Sequence, residues 1–189
     1  MDDETFIVMD DEQIDEIPAG DSKCGKLTEV ADPVTWKKSG RMFGFWGRDA
    51  FRKAKQSIYV MEHFYRNTLV VEYSRMVDFI KDKPSNNYTG SVINQQMSHN
   101  ESNMSYSVPY NWAGTGHQIY DGSVYFNKFN TSVIIRYGLE ERKILVERSL
   151  PEAGFGNMAP YQWAGSTDID FAADELGLWV STRCFHFTS

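Results

Sequence analysis

The sequence predicts an all-β chain of propeller-type blades. Three observations predict it: helical periodicity is scarce, strand–turn–strand pairs recur along the chain, and one segment returns at a fixed offset. With 189 residues, 41% of them hydrophobic and 14% aromatic, the chain can bury the core of one domain or of part of one.

Residues 1–20 carry eight acids (Asp2, Asp3, Glu4, Asp10, Asp11, Glu12, Asp15, Glu16) and no base, and end on Pro18-Ala19-Gly20. A segment so charged has too little apolar surface to fold, so residues 1–20 are expected to be a disordered, solvated linker. The one helical pattern starts at Ser74 as N-cap, with Met76, Val77, Phe79 and Ile80 before the breaker Pro84. A first hairpin pairs 57–61 with 68–73 across the polar turn Tyr65-Arg66-Asn67. A second pairs 117–120 with 123–126 around Asp121-Gly122, residues that tolerate the positive φ of a tight two-residue turn. A third joins 132–137 to 144–147, and a fourth 168–171 to 178–180 around the turn at 174–177.

The repeat lies among these pairs. Pro-Tyr-Asn-Trp-Ala-Gly-Thr at 109–115 returns as Pro-Tyr-Gln-Trp-Ala-Gly-Ser at 160–166, with Trp163 standing 51 residues after Trp112. Each copy precedes a strand, an Asp-containing turn and an aromatic strand, the order of a propeller blade. About three such units fit in the chain, whereas closing a propeller takes roughly four to eight. The expectation is therefore an incomplete propeller that does not make a stable monomer alone, because an open stack bares strand edges and an apolar face. Trp36, Trp46, Trp112, Trp163 and Trp179 are expected to pack the core and the blade interfaces.

Composition excludes several functions. The net charge of −7 belongs to the acidic head; the rest is near neutral, without the basic stripe of a nucleic-acid binder. No apolar run approaches the roughly 20 residues of a membrane crossing, and Met1 is followed by acids rather than by the basic start of a signal peptide. Cys24 and Cys184 lack the close spacing of a zinc or redox motif. Four N-glycosylation sequons start at Asn87, Asn100, Asn103 and Asn130, against about 1.4 expected by chance from ten Asn and 26 Ser plus Thr. This excess favours extracellular exposure.

Asp168 and Asp170 alternate with Ile169 and Phe171, so on a strand the carboxylates share a face. They suit a hard cation such as calcium, a paired-carboxylate hydrolase, or plain hydrogen-bonded acids, and the pattern leaves all three open. Two acids alone do not fill a shell of six to eight oxygens. His117 has no nucleophile frame around it and reads as a structural histidine, while Gly114-Thr115-Gly116 lacks the third glycine and helix of a dinucleotide loop.

Several stretches resemble the olfactomedin-domain family over about 23–180. They are Cys24-Gly25-Lys26-Leu27, Phe43-Gly44-Phe45-Trp46-Gly47-Arg48-Asp49, Gly114-Thr115-Gly116-His117, Tyr120-Asp121-Gly122-Ser123-Val124-Tyr125-Phe126, Ile135-Arg136-Tyr137 and the run from Trp163 to Val180. Asp32-Pro33-Val34-Thr35 and Ala153-Gly154-Phe155-Gly156-Asn157 are most similar to the gliomedin and collagen-bearing colmedin subgroup. The resemblance implies a five-bladed propeller at 21–180, of which about three blades are present, followed by a divergent tail at 181–189. It implies a non-enzymatic extracellular module of adhesion or matrix proteins, involved in cell adhesion and signalling. Its expected partners are cell-surface receptors or matrix proteins, with homo-oligomers formed through upstream regions. A calcium-dependent propeller hydrolase built on His117, Asp168 and Asp170 is the alternative. The resemblance also implies a disulfide from Cys24 to a cysteine that has no counterpart here, and channel calcium on Asp170 with Asp168 beside it. The other calcium ligands have no counterpart either, so calcium is expected in a complete domain and not in this chain.

Overall fold

The computed structural model describes residues 5–8, 35, 37–38, 43–52, 54–65, 67–81, 105–158, 160, 165–174 and 176–183. In chain order the strands are β1 (Thr5–Val8), β2 (Gly44–Gly47), β3 (Ile58–Glu62), β4 (Leu69–Tyr73), β5 (Ser105–Ser107), β6 (Trp112–Tyr120), β7 (Ser123–Lys128), β8 (Val133–Gly138), β9 (Lys143–Ser149), β10 (Ile169–Ala173) and β11 (Leu178–Thr182). A short helix, α1 (Met76–Ile80), follows β4. The strands form three antiparallel sheets, ordered β2-β3-β4-β5, β6-β7-β8-β9 and β1-β11-β10.

The two four-stranded sheets are meanders, each strand pairing with its neighbour in sequence. β6 packs against β2 on one side and β10 on the other, so one edge strand from each of the three sheets stands beside the next. Sheets stacked face to face about adjacent first strands are propeller blades, here an incomplete set of three.

Alternation explains why the middle blade is buried on both faces. Val124, Phe126, Ile135 and Tyr137 point into a core shared with Tyr59, Met61, Val70 and Tyr106 of the first blade. Their strand neighbours Tyr125 and Ile134 point into a second core with Ile169, Phe171, Leu178 and Val180 of the third. β9, farthest from β6 in its sheet, is exposed along most of its length. On the other face of the first sheet, Ile58 and Tyr73 pack against Phe79 of α1.

The expected hairpins form, and the Asp121-Gly122 turn has φ of 43° and 70°, the two positive values of a type I′ turn. Three expectations are corrected. The N-cap of α1 is Arg75, not Ser74: the backbone is extended at Arg75, whose guanidinium grips Asp78 at 2.9 and 3.1 Å. Trp46 is not core; it is 57% exposed and stacks on Phe79 from the open side of the first sheet, whereas Trp112 is fully buried. Thr5–Val8, inside the segment read as a linker, is an edge strand paired antiparallel with β11, and β11 runs on to Thr182. Thr-Phe-Ile-Val is a strand-forming tetrapeptide that the surrounding acids mask in a composition argument. Trp36 and Trp163 lie outside the described residues.

In a complete domain the blade-on-blade core predicts a graded response. Phe126→Ala, fully buried between two blades, should lose about 3 to 5 kcal/mol of unfolding free energy. Leu145→Ala, on exposed β9, should change it by less than about 0.5 kcal/mol. Urea denaturation followed by tryptophan fluorescence reads both.

Candidate functional site

The strand β6 carries the site, and its glycines shape it. At Gly114 (φ 77°) a Cβ would stand 2.8 Å from the Ser166 carbonyl oxygen; at Gly116 it would overlap the Asp170 carboxylate and lie 2.9 Å from the Asp170 Cα. The two glycines therefore allow the segment 166–170 to lie directly on β6. Gly114 meets Ser166 and Thr167 while Gly116 meets Asp170, so β6 and β10 run parallel. The Gly-x-Gly that fails as a nucleotide loop is a seat for the next blade.

Asp170 is half-buried on that seat, and burial pushes its carboxyl up to about 6, with no hydrogen bond or opposite charge to oppose it among the described residues. Asp168 is buried and used differently: Oδ2 accepts the Asn157 N–H at 2.8 Å, and its carbonyl accepts the Thr182 hydroxyl at 2.9 Å. Asn157 in turn accepts the Ser166 N–H through Oδ1, closing a loop of bonds around the entry to β10.

His117 faces the other way. Its ring lies 5.5 Å from Trp112 and 6.1 Å from Phe45, edge-on to both, on the side of the first blade. Burial lowers its pKa to about 3, against the opposing effect of a hydrogen bond to the Gly114 backbone, and Nε2 has no partner among the described residues. Because Gly116 touches Asp170 and His117 touches Phe45, His117, Asp168 and Asp170 do not converge on one pocket. Among the described residues no three His, Cys, Asp or Glu side chains gather as a metal cluster.

Two acids that carry structure were not singled out by sequence reasoning. Asp49, after β2, is buried and accepts four backbone N–H groups: those of Phe51, Arg52 and Asp121 on Oδ1 at 2.9 to 3.0 Å, and that of Gly122 on Oδ2 at 2.7 Å. It thereby fastens the β2–β3 loop to the β6–β7 turn, reinforced by the Ala50 N–H on the Ile119 carbonyl. Arg52 completes the clasp with Asp121 at 2.9 Å and Glu140 at 3.1 Å, its guanidinium lying where a Cβ on Gly122 would be. The available signal was the turn-forming Asp followed by unpaired N–H groups two and three residues on.

The second is Glu72 on β4, fully buried between the first two blades. Oε2 accepts the Tyr106 hydroxyl at 2.7 Å, and the Lys55 ammonium lies 3.2 Å from Oε1 as a charge partner without hydrogen-bond alignment. Burial, then the Glu72 charge, holds the Tyr59 hydroxyl far above its usual range; Tyr106 is raised by burial and by its bond to Glu72. The inward place of Glu72 and its partners both come from the fold.

Of the other expected site residues, Asn130 is exposed in the β7–β8 turn, while Cys24, Asn87, Asn100 and Asn103 lie outside the described residues. No described helix is long and apolar enough to cross a membrane.

A family model for the olfactomedin-like domain matches residues 19–181, most of the chain. The chain belongs to the olfactomedin-like domain family. That domain is a β-propeller and a protein-interaction module, in general extracellular and non-enzymatic.

The buried neutral His117 sets a pH dependence. The unfolded imidazole takes up a proton near its ordinary 6.5 and the folded one only near 3, so its contribution is intact above about 6.5 and is lost as pH falls towards 3. Between pH 7.5 and 4.5 a complete domain carrying His117 should lose about 2 kcal/mol more stability than its His117→Phe variant. Urea titrations of the two proteins at both pH values check this. Separately, Asp49→Ala should cost about 2 to 4 kcal/mol, because four N–H groups lose a charged acceptor.

Proposed function

We propose that the chain serves an adhesion or matrix protein of the gliomedin and colmedin subgroup, binding cell-surface receptors or matrix proteins in adhesion and signalling. The observation that carries this is an exposed aromatic, Phe51, held by the hydrogen bond of its backbone N–H to a buried acid. Phe51 is 58% exposed, yet its loop is clamped by Asp49, and its ring packs 5.4 Å from Tyr120. Leu176, 64% exposed, sits on the β10–β11 loop at the same end, since β6 and β10 run parallel. Apolar side chains on preorganised loops lose little entropy on docking, which is how interface anchors act.

Calcium belongs to this reading. Asp170 fits a cation: a carboxylate on a backbone seat, burdened by desolvation and without an opposite charge among the described residues. Asp168 would stand beside it, with one oxygen already holding Asn157. Bound calcium would supply positive charge between first strands. A full shell needs six to eight oxygens, so we expect it in a complete domain and not in this chain.

The test is binding of a complete domain carrying this sequence to panels of cell-surface receptors and matrix proteins. Phe51→Ala should weaken capture by about tenfold or more and leave the melting temperature unchanged. Hydrolysis of lactones, esters or glycosides, lost in Asp170→Ala, would overturn the reading. Submillimolar calcium binding by the 189-residue chain in calorimetry, lost in the same variant, would overturn the account of the ligands.

A further inference from the structure

We propose that the outer edge of β11 is a strand-acceptor site whose occupant is Thr5–Val8 of a second copy of this chain, so that two copies exchange their β1 strands and form a closed dimer.

The third sheet differs from the other two in where its strands come from. In β2-β3-β4-β5 and β6-β7-β8-β9 each strand pairs with its neighbour in sequence, whereas β11 has β10 on one edge and β1 on the other. β1 pairs along its whole length: Thr5 opposite Thr182, Phe6 opposite Ser181, Ile7 opposite Val180 and Val8 opposite Trp179. Val8 and Trp179 stand 171 positions apart, so no hairpin brings them together. A strand that joins a ready-made edge in this way docks as extended peptides dock on sheets.

The edge is built without β1. β10 holds β11 over five residue pairs, from Ile169 opposite Thr182 to Ala173 opposite Leu178, and the Thr182 hydroxyl on the Asp168 carbonyl at 2.9 Å fixes one end. Leu178 and Val180 pack with Ile169 and Phe171 against Tyr125 and Ile134 of the second blade. β10 lies against β6, so the edge of β11 that receives β1 is the one turned away from β6. β1 can therefore be replaced without opening a blade interface. Left empty, that edge would present unpaired N–H and C=O groups to any strand, which exchange between identical copies prevents.

The connection to the rest of the chain does not tie β1 to its own molecule. The first described side-chain bond after β1 belongs to Lys37, whose ammonium donates to the Phe79 carbonyl of α1 at 2.8 Å, on the face of the first sheet opposite the middle blade. A tether that starts there must pass two blades to reach its own β11. Residues 9–36 span at most about 90 to 100 Å, a length that also reaches the same edge of a neighbouring molecule. Pairing within one chain closes a loop around two blades for four residue pairs, at a cost in entropy, and the first strand given to a second copy closes none. Exchange keeps every pairing that the single chain makes, and a reciprocal exchange fills both edges, which ends the assembly at two.

The test uses the full chain with Cys24→Ser and Cys184→Ser, so that the natural thiols take no part. Phe6→Cys is placed in one copy and Ser181→Cys in another, positions opposed across the strand pair and so within disulfide reach. The two are refolded together and oxidised. A disulfide joining residue 6 of one copy to residue 181 of the other is expected on non-reducing gels and by peptide mass spectrometry, since it forms only where the strand of one copy lies on the edge of the other. Val8→Cys with Ser181→Cys, two residues out of register, should give severalfold less. Light scattering of the uncrosslinked chain should give the mass of two copies, and the double variant Phe6→Pro, Ile7→Pro the mass of one, because proline removes the N–H that the pairing uses. A bridge that forms only within single chains carrying both cysteines overturns the exchange. So does equal crosslinking out of register, a parent chain with the mass of one copy, or a dimer that the double proline variant leaves intact. Bridged species larger than two copies overturn the closed pair.

Discussion

Everything in the described structure depends on how closely β10 can approach β6. Two sheets of ordinary side chains stack about 10 Å apart, but first strands crowded beside one another must come nearer. Gly114 and Gly116 remove the side chains that would stand between them, and the backbone of 166–170 lies where those Cβ atoms would be. That approach sets the parallel alignment of β6 and β10 and lays Asp170 on a backbone surface. It also turns His117, one residue further on, toward the first blade. The electrostatics of Asp170 and His117 are therefore consequences of packing: both are desolvated by the same sandwiching of β6, and they respond in opposite directions because one is an acid and the other a base.

Apolar stacking holds the blades but does not fix their rotation about one another, since flat hydrophobic faces slide at little cost. Directional bonds do this between the first and second blades. Asp49 reads the backbone of the β6–β7 turn with both carboxylate oxygens, and Arg52 adds two acids from that blade's turns. Glu72 lies in the same interface with Tyr106 and Lys55 around it. The loop that presents Phe51 is thus an extension of the interface rather than a free surface loop, which joins stability to the proposed recognition role.

The fold was legible because its signals are local. Asp121-Gly122 can only be a tight turn between strands, and the alternation in 123–128 and 133–138 already states which side chains face which core. Legibility ended where a residue's role depends on distant partners. Trp46 reads as core by hydrophobicity, yet it is mostly exposed on the open face of the first sheet, where it stacks on Phe79 of α1. Thr5–Val8 reads as part of an acidic linker, yet β11 offers it an edge. Asp168 and Asp170 read as a pair, yet one is committed to Asn157 and the other lies on Gly116.

By itself the sequence determined the all-β class, the order of the hairpins, the repeat behind the blades and the family, because turn chemistry and side-chain alternation act over two to eight residues. Only the tertiary structure decided that Gly114 and Gly116 are a seat, that Asp49 is a clasp, that Glu72 has partners, and that His117 and Asp170 lie on opposite sides of one strand. Those roles are set by contacts between residues far apart in the chain, 73 positions for Asp49 and Gly122 and 88 for Arg52 and Glu140, and no local pattern carries that distance.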